Sequence, residues 1–300
     1  MSERAPMRAR GFRAIATATD LPVLNAAALA RAHALARTDH GAMRLTLSPV
    51  HGLLLAACFI ASIGIAQAQA ASGHPSVLAT LWKWMPLIMK GFVFNVAISF
   101  LAIAIGTFFG MFLGLAQISL MRPVRKGAWF ATHFFRNAPW LVLLFYCMFL
   151  LPFKFTLFGV TVPFPDWMKA TLGLSLPVMA NVSEIVRGAI QSIPTGQWES
   201  AYSLAFTRRQ TLWMIILPQG VKRMLPPWMN VYCILAVGTV LASVVGVQEV
   251  MTLTGDALSA ENRPELLMPF YGFVLLLFFA YCYPIARWTA AMENKYAVKI

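Results

Sequence analysis

The chain has 300 residues, 59% of them hydrophobic and only 12% charged, with a mean hydropathy of +0.68. Soluble domains rarely reach such values, and the apolar residues fall in blocks, so the composition excludes an ordinary soluble enzyme. The net charge of +13 need not mean nucleic acid, because in a membrane protein the same excess marks cytoplasmic loops.

Only helices and closed barrels span lipid, and no alternating ten-residue strand signal occurs, so the expected fold is an all-α integral membrane protein. Cys58, Cys147, Cys233 and Cys282 lie inside apolar runs without paired spacing, and the histidines are scattered. No disulfide framework and no metal site is implied. No G-x-x-x-x-G-K-[ST] occurs, so the chain itself should bind neither ATP nor another cofactor. A membrane enzyme would need a cluster such as H-E-x-x-H or a Ser–Lys pair, and none is found, so no catalytic residue is assigned.

Residues 1–49 form a basic arm with seven arginines against Glu3, Asp20 and Asp39. Nothing obliges it to fold, and Met43 opens a second plausible start. The segment 50–71 carries an apolar run from Gly52 to about Ala68 followed by AQAQAAS. It reads either as a signal peptide with small residues at its cleavage site or as a slightly short first membrane helix. The next span, about 87–120, repeats Ala102, Gly106, Gly110 and Gly114 every four residues, a stripe that lets helices approach closely. Asn95 lies in the same helix, where polarity is costly. It either hydrogen-bonds a neighbouring helix or faces substrate.

A basic loop with Arg122, Arg125, Lys126 and Arg136 follows, then a span from Pro139 to about Pro152. The loop 153–166 is nearly uncharged. The span 167–193 holds Asn181, Ser183, Glu184, Arg187 and Gln191, and charges at bilayer depth need partners or a wet cavity. Asn181, Glu184 and Arg187 are three apart and share a face. One reading is a structural Glu184–Arg187 pair; the other sets Asn181 and Glu184 beside a substrate ammonium, with Arg187 tuning that charge. Pro177 is expected to kink this helix. Two more spans, about 229–250 and 266–288, are separated by an outside loop with Asp256, Glu261, Arg263 and Glu265. With six spans, the basic loops 122–136 and 208–223, the tail and the arm all fall on one side.

That topology puts Glu199–Pro218, ESAYSLAFTRRQTLWMIILP, in the cytoplasm. Small residues line up there with Tyr202 and Phe206 at helical spacing, which predicts a helix over about 196–209, closed by Arg208 and Arg209, with a tight face for a partner protein. An interfacial helix lying on lipid headgroups is the alternative.

The same stretch resembles the cytoplasmic loop of permease subunits of bacterial ABC importers, E-A-A, three residues, G, nine residues, I-x-L-P. Glu199-Ser200-Ala201, Ala205 and Ile215-Ile216-Leu217-Pro218 stand at that spacing, with Ser200 for the first Ala and Ala205 for the Gly. Phe135-Arg136-Asn137-Ala138-Pro139 and the run from Ser183 to Pro227 are similar to the polar amino-acid group (histidine, glutamine, glutamate, arginine, opine), a likeness covering about 84–292. The resemblance implies the type I importer fold, with five core transmembrane helices plus the N-terminal segment, in a permease domain 82–292 with a coupling loop 194–228. It implies a multi-pass protein of the bacterial inner membrane that works with an ABC ATPase dimer, a second permease subunit and a periplasmic binding protein. Glu199, Ser200, Ala201, Tyr202, Ala205, Arg208 and Pro218 would meet the ATPase, and Asn95, Asn181, Glu184 and Arg187 the substrate. A secondary transporter or channel without an ATPase is the alternative; it would require ion-coupling acids deep in several helices, and only Glu184 is so placed.

Overall fold

The computed structural model describes residues 49–69, 75–157 and 160–296. The basic arm up to residue 48 and the segment after Gln69 that a cleavage site would occupy lie outside the described residues.

Helix α1, Pro49–Gln69, lies along the last helix, α9, Leu267–Tyr296, where Phe59 meets Phe273 with ring centroids 6.4 Å apart. Helix α2, Val77–Gln117, has 41 residues. At 1.5 Å per residue it is about 62 Å long, twice the ~30 Å hydrocarbon layer, so its ends stand clear of the lipid core. Ser76 caps it by accepting the Ala79 N–H at 3.3 Å.

Two expected loops are helices. The basic stretch is α3, Arg122–Asn137, with Pro123 in its first turn. It is strongly amphipathic: Arg122, Arg125 and Lys126 alternate with exposed Trp129, Phe130 and Phe134, while Ala128 and Thr132 turn inward. This is how a helix lies at a membrane surface, and the charges counted as loop are its polar face. Pro139 then bends the chain by 104° into α4, Trp140–Leu150. Eleven residues rise only about 17 Å, so α4 cannot cross alone, and by length and composition the bent α3–α4 pair fits one broken span or a re-entrant loop. The outer stretch that follows carries Asp256 and Glu261 on helix α8, Val250–Glu261, not on a loop. Gly246, in the left-handed region at φ 86°, reverses the chain just before it.

The uncharged loop after α4 holds a small antiparallel hairpin, β1 Lys154–Leu157 with β2 Val160–Pro163, in which Lys154 faces Pro163 and Leu157 faces Val160. Thr156, Val160, Thr161 and Val162 are the β-branched residues that suit paired strands. Four residues per strand is too short for the alternation that announces a strand in sequence.

Helix α5, Asp166–Gln191, is the centre of the bundle, packed by α2, α3, α4 and α7, Leu217–Gly238. By length and composition four helices can cross a membrane, and the α3–α4 pair, counted as one span, makes a fifth. Helix α5 is too polar to join them, yet its 26 residues give about 39 Å. Neighbouring helices stand where lipid would, which is why charge is tolerated on it. The five core helices are thus α2, the α3–α4 pair, α5, α7 with its leading turns, and α9.

The small-residue stripe does what its spacing predicts. A Cβ on Gly106 would lie 2.5 Å from Val178 Cγ1, one on Gly110 2.7 Å from the Met179 carbonyl oxygen, and one on Gly114 2.7 Å from Val186 Cβ. These glycines set α2 against α5 at a backbone-to-backbone distance that any side chain would prevent.

Two apolar cores result. One surrounds α5, with Leu144, Leu174, Val178 and Leu235; the other joins α1, the first half of α2, α8 and α9 through Ile88, Val250, Leu266 and Phe270.

Candidate functional site

The stretch from Pro194 to Pro218 is an elbow, not one helix. Helix α6, Thr195–Ser203, ends about six residues earlier than the pattern suggests. Its end is a Schellman cap: the Phe206 N–H donates to the Ala201 carbonyl at 3.1 Å and the Ala205 N–H to the Tyr202 carbonyl at 2.9 Å. Ala205 takes the left-handed conformation this cap requires, φ 58°. The family pattern has glycine at that position, and the geometry supplies the reason: only glycine enters this region without strain. The bend that the loss of glycine put in doubt is therefore made by alanine.

The next helix starts at once. Thr207 accepts the Gln210 N–H at 3.4 Å while Gln210 Oε1 accepts the Thr207 N–H at 2.9 Å, a capping box. Arg208 and Arg209 thus open a helix and do not close α6. The guanidinium of Arg208 instead caps α2, donating to the Ile118 carbonyl at 3.0 Å, where a helix C-terminus favours a cation. A π-helical turn, Thr211–Ile216, leads into Pro218, which has no N–H to give the preceding turn; the Leu217 N–H reaches back five residues to the Leu212 carbonyl.

Within the elbow, Ala201 is 1% exposed and fixes α6 to the bundle, whereas Tyr202 is 52% and Leu204 71% exposed. Glu199, Ser200, Ala205 and Pro218 are exposed as well. The single long helical face expected over 196–209 is corrected: the left-handed residue at Ala205 turns the chain before Phe206 can join the face of Tyr202. Two further bonds hold the elbow to the bundle. Arg223 donates to the Ser192 carbonyl at 2.6 Å, and Gln219 to Gln197 Oε1 at 3.3 Å. A cavity of about 360 Å³ lined by Gln117, Arg125, Gln191, Trp198 and Arg208 lies between α6 and the ends of α2 and α5.

The candidate substrate residues separate. Glu184 sits 2.6 Å from Arg187 Nη2 and 3.8 Å from Arg136 Nη1, and Arg187 also donates to Gln191 at 2.9 Å. Two sequence motifs, F-R-N-A-P and S-E-I-V-R, thereby meet in one cluster of two cations and one carboxylate. Asn181, one turn away, folds its amide back to the Pro177 carbonyl at 2.8 Å.

Asn95 does not join them. It is buried, its Nδ2 donates to Thr239 Oγ1 at 3.0 Å and Glu249 Oε2 at 2.8 Å, and its Oδ1 accepts the Val250 N–H at 3.0 Å. Both amide hydrogens and one lone pair of the oxygen are thus engaged within the bundle, which accords with a bond to a neighbouring helix. Its partner Glu249, buried and capping α8 through the Met251 and Thr252 N–H groups at 2.8 and 3.0 Å, gave no sequence signal because the bond joins residues 154 apart.

Sequence reasoning also passed over a buried triad. Gln117 donates to Thr132 at 3.1 Å and to Ser183 at 2.7 Å, tying α2, α3 and α5 together beside Glu184. Single polar residues on three helices carry no local pattern.

A model of the family described as "binding-protein-dependent transport system inner membrane component" matches residues 106–292. The chain belongs to that family. It is 34% identical over 212 residues to the probable amino-acid ABC transporter permease protein YckA of Bacillus subtilis, covering 71% of this chain and 90% of that one. It is 33% identical to the L-cystine transport system permease protein TcyB of the same organism, covering 62% and 76%, and 31% identical to the glutamine transport system permease protein GlnP of Escherichia coli, covering 61% and 82%. A crystal structure of an amino acid ABC transporter with histidines superposes with a TM-score of 0.64 at 25% identity, covering 74% of this chain and 99% of that one. The MetNI methionine ABC transporter, at 16% identity and TM-score 0.53, shares the fold. The chain is a multi-pass permease subunit of an amino-acid ABC transporter, with the type I importer fold, and is a transport protein, not an enzyme.

Proposed function

We propose that this permease carries polar amino acids inward across the bacterial inner membrane, driven by an ATPase dimer that grips α6, beside a second permease subunit and below a periplasmic binding protein. The carrying observation is the elbow: a short helix with exposed Glu199, Tyr202 and Leu204, anchored through Ala201 and through Arg208 and Arg223 to α2 and to the turn after α5. An outside surface pushing on α6 moves the ends of the two most closely packed helices of the bundle, and the cavity beneath it leaves room for that movement. A transporter without an ATPase would have no use for such a lever.

Residues 82–292 form the translocation domain in this reading, with 194–228 as its coupling loop. ATP binds the partner, so this chain carries no cofactor. Glu184 takes the substrate's ammonium group while Arg187 and Arg136 take its carboxylate, and Asn181 releases Pro177 to contact the substrate. Asn95 holds α2 to α8.

The test is Glu199→Lys in the reconstituted complex. The variant should insert and assemble yet lose ATP-driven uptake and substrate-stimulated ATP hydrolysis together. Normal stimulated hydrolysis would overturn the placement of the ATPase.

A further inference from the structure

A cleft in the described residues lies far from Glu184. It measures about 680 Å³ and opens between the first half of α2, the start of α5 and the turn at Gly246. Both helix starts lie at the end of the bundle away from the basic elbow, so the cleft faces outward. Its charged lining comes from two elements: Lys90 on α2 and Asp166 at the first turn of α5, with Phe94, Trp167 and Val247 as apolar wall.

Lys90 is exposed and has no ion-pair partner among the described residues. Asp166 turns Oδ1 inward, 3.4 Å from Lys169 Nζ, and 44% of its side chain stays exposed. Lys169 is 0% exposed and has no hydrogen bond; its ammonium stands 3.2 Å above the centroid of the Phe153 ring. A fully buried lysine without a hydrogen bond is costly. Its physical effect here is to hold the Asp166 carboxyl group in place at the rim. The cleft therefore presents a fixed carboxylate, a free ammonium across from it, and an aromatic wall in which Phe94 meets Trp167 edge to face.

We propose that this cleft binds a free amino acid, with the ligand's carboxylate on Lys90, its ammonium on Asp166 and its side chain against Phe94 and Trp167. The site is separate from Glu184: Asp166 and Glu184 are eighteen residues apart on α5, about 27 Å along the helix axis, farther than one amino acid reaches. It is an outer station that holds substrate before passage to the inner cluster. The inference rests on the amino-acid reading of the chain.

The test is equilibrium dialysis of radiolabelled L-glutamine, L-glutamate and L-arginine, and of L-glutamine α-amide, against the purified transporter complex in nanodiscs without binding protein. At least one of the three amino acids should bind the wild type, and the α-amide should not bind this site. Lys90→Gln and Asp166→Asn should each weaken binding roughly tenfold, the loss of one charge-assisted hydrogen bond. Lys90→Arg should restore it, and Lys126→Gln, on α3 and outside the cleft, should leave it unchanged. Equal binding by Lys90→Gln and wild type, or binding of the α-amide as tight as that of glutamine, would overturn the proposal. If no amino acid binds while the same complex, reconstituted in proteoliposomes with its binding protein, still transports one, the outer station falls and the amino-acid reading stands. If no amino acid is bound in nanodiscs and none is transported in those proteoliposomes, both fall.

Discussion

Ala205→Gly should stabilise the elbow. Ala205 sits at φ 58°, and a left-handed residue with a Cβ carries a strain of about 1–2 kcal/mol relative to glycine. Glycine also loosens the unfolded chain, which offsets about 0.4–1 kcal/mol. Because Ala205 is exposed, removing its methyl group gives up no packing. The net gain is about 0.5–1 kcal/mol, close to a fivefold change in the local opening equilibrium. The readout is hydrogen exchange of the Phe206 amide, which donates to the Ala201 carbonyl and is exposed to exchange only when the cap opens. Glycine should slow that exchange several-fold, and Ala205→Val should speed it, since a β-branched residue fits the left-handed region worse still. Unchanged or faster exchange in the glycine variant would mean that the cap is not what holds this turn.

Two further outcomes follow from the packing and the charges. Gly110→Val, whose Cβ would meet the Met179 carbonyl oxygen at 2.7 Å, should cost roughly 1–3 kcal/mol or prevent assembly, lowering the thermal unfolding midpoint in detergent. Gly188→Ala, where a Cβ meets nothing within 4 Å, should be neutral or slightly stabilising, and equal effects at the two positions would refute the close α2–α5 approach. On the outer side, Lys83 and the Trp84 indole, each 2.7 Å from Glu261, hold that carboxyl below its ordinary value. A folded-state pKa that is lowered contributes stability above the unfolded value of about 4.3 and loses it as pH falls through the folded value. Hydrogen exchange in α8 should therefore accelerate between neutral pH and the acid range once intrinsic rates are corrected, and Glu261→Gln should remove that dependence. A variant that keeps it would place the acid-sensitive group elsewhere.

The architecture was readable where the physics is local. Apolar block length gave most of the spans, and the four-residue stripe from Ala102 to Gly114 gave the α2–α5 contact. Sequence reasoning failed where one local signal stood for two structures. The charges of α3 look like a loop until its apolar side, with Val124, Phe130 and Phe134, is set against them at helical spacing. The spacing of Tyr202 and Phe206 is helical, but a single left-handed residue at Ala205 separates them, and an alanine gives no warning of positive φ. Glu184 and Arg187 are legible because they share a helix, whereas Arg136, Gln117 and Thr132 reach the same cluster from α2 and α3. Asn95 looked like a site residue because it is polar in an apolar run; its partners, Thr239 and Glu249, lie more than 140 positions away.

The central claim is that the exposed face of α6 is where an ATPase engages. A photoreactive benzoylphenylalanine in place of Tyr202 or of Leu204, irradiated in native membranes and followed by mass spectrometry of the adduct, tests it directly. The account predicts a cross-link to an ATPase subunit at both positions, lost when Glu199 is replaced by lysine. Cross-links to lipid alone would contradict it and make α6 a helix lying on headgroups.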